Sequence, residues 1–132
     1  MIKNVTLYRP VGANELVLII DSGMKRFPSR LFWQPIFYPV LNFQYAAEIA
    51  ERWNMRDPDS DGVGFVTEFD IPEDYFQTFG IQTVGLDYHQ ELWVPAEMLD
   101  EFNDKIVNGI RISKSFIGRK FIMPEKISNV LN

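Results

Sequence analysis

The stretch "DPDSDGVGFVTEFDIP", Asp57 to Pro72, carries two incompatible readings. Its first part has the spacing of an EF-hand calcium loop. Asp57, Asp59 and Asp61 fall at positions 1, 3 and 5, Gly62 at 6 and Glu68 at 12. Its second part alternates. Phe65, Thr67, Phe69 and Ile71 fall on one face, and Val66, Glu68 and Asp70 on the other, which is the period of a strand. An EF-hand needs a helix leaving the loop, and Pro72 would break one within its first turns. Gly64 occupies position 8, where EF-hands place an aliphatic that pairs with a second hand, and no second loop exists. The stretch therefore predicts an acidic turn leading into a strand. Asp57, Asp59, Asp61 and Glu68 remain as a calcium set only for a site without EF-hand helices, and no metal is otherwise expected.

Upstream, Asn42 can cap a helix "FQYAAEIAERWN", whose Phe43, Ala46, Ala47, Ile49, Ala50 and Trp53 make an apolar face. Before it, "PIFYPVL" reads as a short strand, with Pro39 placing it near an edge or an end. "MKRFPSRLFWQ" reads as a loop. Asn14 can cap "ELVLIIDS", closed by Gly23, and "IKNVTLYRPV" reads as a first strand. Downstream, Pro72 opens a helical turn closed by Gly80, and "IQTVG" and "YHQELWV" read as strands. Pro95 starts a helix "AEMLDEFNDKIVN" that Gly109 ends, and "IRISKSFI" is a last strand. The tail from Gly118 to Asn132 reads as loosely packed or exchanged with a partner.

The sum is an α+β domain spanning residues 1–132. About six short strands form a bent, mostly antiparallel sheet with about three helices packed on it. The 132 residues suffice for one domain with a core, and 46% hydrophobic with 23% charged residues is a globular balance. There is no cysteine, which excludes disulfides, thiolate metal sites and a thiol nucleophile. The one histidine, His89, excludes a multi-histidine metal site within a single chain. A net charge of −5 without a basic run argues against duplex nucleic acid. "LVLII" is too short to span a bilayer and "MIKNVTLYRP" lacks a signal-peptide core, so a cytoplasmic protein is expected.

"TLYRPV" (Thr6–Val11), "PIFYPVLNFQYAAEIAERW" (Pro35–Trp53) and "HQELWVP" (His89–Pro95) resemble, in order and approximate spacing, three segments of ADP-ribosyltransferase-like proteins. More closely, "TLYRPVG", "QPIFYPVLN", "HQELWVPAE" and "EFN…IVNGI" resemble short bacterial proteins grouped under the label ADP-ribosylation/crystallin J1. The resemblance implies an ADP-ribosyltransferase-like fold with NAD as the substrate. It implies that Arg9 meets the dinucleotide, that Tyr38 stacks on nicotinamide with Tyr8 as a further stacking candidate, and that Glu91 stabilises the oxocarbenium-like state. Two features depart from the arginine-directed members. "FYPV" stands where they carry a Ser-Thr-Ser-like strand, and His89 stands two residues before Glu91, where many carry Glu or Gln. His89 then becomes a candidate base near neutral pH. The acceptor of a transfer is not specified. The alternative is a non-catalytic interaction module on the same fold, with the aromatic-rich "FPSRLFWQPIFYP" (Phe27–Pro39) facing a protein partner.

Overall fold

The computed structural model describes residues 3–54 and 62–131. β1 (Asn4–Val11), β3 (Val63–Pro72) and β7 (Val107–Ile117) form an antiparallel sheet with β3 in the middle. β3 is the alternating segment, and its Phe65, Thr67, Phe69 and Ile71 are buried as period two requires. The exit helix of an EF-hand is thus replaced by a strand. Glu68 lies mid-strand and accepts from Arg111 Nη2 at 3.1 Å. Asp57, Asp59 and Asp61 lie outside the described residues.

β2 (Ile36–Phe37) pairs with β6 (Val94–Pro95), and β4 (Ile81–Thr83) pairs with β5 (Gln90–Leu92). Val40 ties these pieces to the main sheet, because it bridges Tyr8 of β1 on one side and Glu91 of β5 on the other. Val40 exchanges both backbone hydrogen bonds with Tyr8, at 2.9 and 2.7 Å. The strands thus run β4, β5, the Val40 segment, β1, β3 and β7, all antiparallel. Beyond the Tyr8–Val40 bridge the pairing lapses. Phe37 has turned to Val94, and Arg9, Pro10 and Val11 pair only with β3. The sheet forks there.

The core lies on the face that carries Leu7, Phe65 and Phe69. It closes with Phe27, Phe37 and Phe102, stacked as edge-on and tilted rings 4.9 to 5.9 Å apart. α1 (Ala13–Asp21) covers this face through Leu16 and Ile19. α2 (Phe43–Ile49), which continues as a π-helical turn over Ala50–Asn54, covers the opposite face, where Ala46 and Ala50 meet Val40 and Val66. Gly64 permits that approach, since a Cβ there would stand 2.3 Å from the Ala50 carbonyl oxygen.

Five α-helices, rather than about three, are present among the described residues: α1, α2, α3 (Glu73–Phe76), α4 (Leu99–Asp104) and α5 (Glu125–Val130). Three expected boundaries change. α1 starts at Ala13 with Gly12 as its N-cap, so Asn14 is inside the helix; Gly23 follows its end with φ +79°, as a C′ residue should. α4 starts only at Leu99, after a 3₁₀ turn over Ala96–Met98 that Pro95 of β6 precedes, and stops at Asp104, and Val107 already belongs to β7. Asn108 and Gly109, with φ of 63° and 73°, form a bulge where the register steps from Glu68–Arg111 to Asp70–Val107. A left-handed glycine serves a bulge as well as a helix end, and here the Ile110 N–H leaves the ladder to reach the Met24 carbonyl at 2.7 Å. The tail is not loose. α5 buries Ile127 completely, packs on α1 and ties Lys126 to Asp21 at 2.8 Å. No helix among the described residues is long and apolar enough to cross a membrane.

Candidate functional site

The fork in the sheet opens a cleft of about 580 Å³, within the usual range for small-molecule sites. Because the strands part there, side chains from both faces of the sheet reach it. Arg9 enters from the core face and Glu91 from the face covered by α2. Tyr38 and Arg30 also line the cleft, with Glu15 from the first turn of α1 and Tyr45 from α2. Of the residues singled out in the sequence, Arg9, Tyr38 and Glu91 come together here. Tyr8 and His89 do not line the cleft.

Arg9 is only 7% exposed and therefore needs a counter-charge. Glu15 supplies it through a two-pronged pair. Arg9 Nε donates to Oε2 at 2.7 Å and Nη2 donates to Oε1 at 2.9 Å. The guanidinium carbon also lies 4.8 Å from the Phe37 ring centre, and Thr67 Oγ1 donates to the Arg9 carbonyl at 2.8 Å. Arg9 is thus a fixed part of the cleft wall.

Glu91 is held at both oxygens. Tyr45 Oη donates to Oε2 at 3.0 Å and Trp93 Nε1 donates to Oε1 at 2.7 Å. Local sequence explains both donors. Asn42 caps α2 by accepting from the Tyr45 N–H at 2.9 Å, and its Nδ2 donates to the Tyr88 carbonyl at 2.6 Å. One side chain therefore fixes the start of α2 against the loop entering β5, with Tyr45 at the third helical position facing Glu91. Trp93 lies two residues beyond Glu91 along an extended segment, so it shares that residue's side. Burial, then the neighbouring Glu91 carboxylate, push the Tyr45 hydroxyl up to about 12.

His89 stands behind Tyr45, stacked on its ring at 4.5 Å and 26°. Its Nδ1 accepts the Leu86 N–H at 3.0 Å, so the ring proton sits on Nε2, which faces Glu48 Oε1 at 3.2 Å. Gly85 leaves room for this ring, since a Cβ there would lie 2.4 Å from Nδ1. Tyr88 Oη donates to the other Glu48 oxygen. His89 and Tyr88 thereby dock the β4–β5 turn onto α2. Tyr8 points to the α2 face, packed edge-on against Phe43 at 6.1 Å; Val40 separates it from Glu91. Burial and the nearby Glu68 and Asp70 carboxylates raise the Tyr8 hydroxyl above its ordinary range.

Tyr38 is 43% exposed, so its ring is available to a ligand. At the rim stand Leu31, then Phe32 and Trp33, which are 94% and 62% exposed and meet edge-on at 4.8 Å. Four residues of the site carry no mark in the sequence analysis: Glu15, Arg30 and Tyr45, which line the cleft, and Trp93, which donates to Glu91. Trp93 could have been found from its two-residue spacing to Glu91, and Tyr45 from the Asn42 cap. Arg30 lies in an aperiodic loop that offered no signal. Among the described residues, no cluster of three or more His, Cys, Asp or Glu side chains is placed to hold a metal ion. Comparison with protein-family models, curated proteins and solved structures found no match for this chain.

Proposed function

We propose that the protein is an ADP-ribosyltransferase-like domain that binds NAD in the forked cleft and cleaves its nicotinamide–ribose bond. The observation that carries this reading is the convergence of Arg9, Tyr38 and Glu91, from three separated segments, on one cleft. In the reaction the bond between ribose C1′ and the pyridinium nitrogen breaks. Its electron pair leaves with nicotinamide, which becomes neutral, and positive charge develops on the ribose. Glu91, fixed by Tyr45 and Trp93, supplies a pre-oriented negative charge to that state. Water, or the nucleophile of an acceptor, then attacks C1′ and gives up a proton. The exposed Tyr38 ring offers a face for the nicotinamide. His89 acts through position, by holding Tyr45 from behind. The test is nicotinamide release together with NAD binding by the purified protein. Release that is lost in Glu91→Gln supports the reading, and absence of both binding and release removes it.

A second reading, a non-catalytic interaction module, is favoured by one specific observation. Phe32 and Trp33 project from the rim while Glu15 already occupies Arg9. It predicts a protein that ignores NAD and whose association with a partner is abolished by replacing Phe32 and Trp33 with Ser.

A further inference from the structure

The cleft holds one arginine, Arg30, that no carboxylate pairs among the described residues. Arg9 is paired with Glu15, Arg26 with Asp100 and Asp104, and Arg111 with Glu68 and Asp70, all at 3.4 Å or less. Arg30 has no carboxylate within ion-pairing distance among the described residues. Its Nε is buried and has no hydrogen-bond partner. Burial, and next the like charge of Arg9, hold its proton affinity below the ordinary arginine range. An unpaired buried N–H on a permanent cation is costly, so a fold that retains one gains nothing from it unless something binds.

We propose that Arg30 is the anion anchor of the cleft and receives a phosphoryl group of the ligand, while Arg9 is the neutralised wall beside it. The guanidinium fork matches the oxygens of a phosphate or pyrophosphate, and the cleft is large enough to take the rest of a nucleotide. The charges agree with this division. Arg9 and Glu15 are paired, Glu91 is held by Tyr45 and Trp93 on the α2 side of the fork, and Arg30 carries a positive charge with no ion-pair partner among the described residues. The proposal rests on the NAD reading only for the identity of the ligand, since an anion site at Arg30 stands or falls without any bond being cleaved.

The experiment is calorimetric titration with inorganic pyrophosphate and with ADP. The proteins are wild type, Arg30→Gln, Arg30→Lys, and Lys126→Gln as a variant with the same charge change outside the cleft lining, where Lys126 pairs with Asp21 at the end of α1. Wild type and Lys126→Gln are expected to bind both probes, with affinity falling as salt rises. Arg30→Gln is expected to bind at least tenfold more weakly, and Arg30→Lys to fall between, because it keeps the charge and loses the fork. Thermal melts of all four proteins check folding, and Arg30→Gln is expected to be no less stable than wild type. Equal binding by wild type and Arg30→Gln, or no binding of either probe by wild type, overturns the proposal. Pyrophosphate binding that depends on Arg30 without nicotinamide release would retain the anchor and remove the cleavage reading. Nicotinamide release with an unchanged KM for NAD in Arg30→Gln would do the reverse.

Discussion

Asn42 joins fold to site, and replacing it by Ala should cost two separable contributions. Its side-chain oxygen caps α2 by accepting from Tyr45 N–H at 2.9 Å, and its amide donates to the Tyr88 carbonyl at 2.6 Å. Loss of an asparagine cap costs about 1 kcal/mol. Loss of the second, partly buried hydrogen bond costs about 1 kcal/mol more. Asn42→Ala is thus expected to lose about 2 kcal/mol in total. In a chain of 132 residues this corresponds to a fall in Tm of about 8 °C. Asn42→Ser separates the two, since Ser caps equally well but cannot reach across to Tyr88. It should lose about 1 kcal/mol, or about 4 °C. Urea melts followed by far-ultraviolet circular dichroism, with thermal scans beside them, give both values. If Asn42→Ala lies within about 0.5 kcal/mol of wild type, the coupling of α2 to the β5 loop is wrong. If Ser and Ala are equally destabilising, the cap contributes nothing and the reasoning about Tyr45 fails with it.

Two further outcomes follow from the same geometry. Tyr45 has a raised pKa in the fold, so its stability contribution is complete below pH 10.0 and is lost as pH climbs towards about 12. Absorbance titration of wild type against Tyr45→Phe should isolate one late-ionising tyrosine, and a difference curve centred near pH 10 would contradict the burial of its hydroxyl beside the Glu91 carboxylate. Ile127→Ala should cost about 2–5 kcal/mol in urea melts, because Ile127 is fully buried against the core. A change below about 0.5 kcal/mol would mean that α5 is not part of the folded domain.

The central strand was legible because Phe65, Thr67, Phe69 and Ile71 obey period two, and that same alternation disposed of the EF-hand helix. The Asn42 cap was legible because capping is local chemistry. The bulge at Asn108 and Gly109 was not, since a glycine in a left-handed conformation ends a helix or kinks a strand, and only the register opposite Glu68 and Asp70 decides which. The burial of Ile127 depends on where α1 lies, which no local pattern in the tail encodes. The site divides in the same way. Arg9, Tyr38 and Glu91 stood out in sequence, yet Glu15 as the partner of Arg9 and the unpaired state of Arg30 arise from tertiary packing alone. His89 is chemically distinctive in the sequence, but its ring nitrogens face Leu86 and Glu48 rather than the cleft.

The most direct test of the central claim is nicotinamide release from NAD by wild type and by Glu91→Gln, with NAD binding measured on both. NAD cleavage in the forked cleft should give release by wild type, loss of release in Glu91→Gln, and binding retained by the variant. Release that continues unchanged in Glu91→Gln, or a wild-type protein that neither binds NAD nor releases nicotinamide, would contradict it.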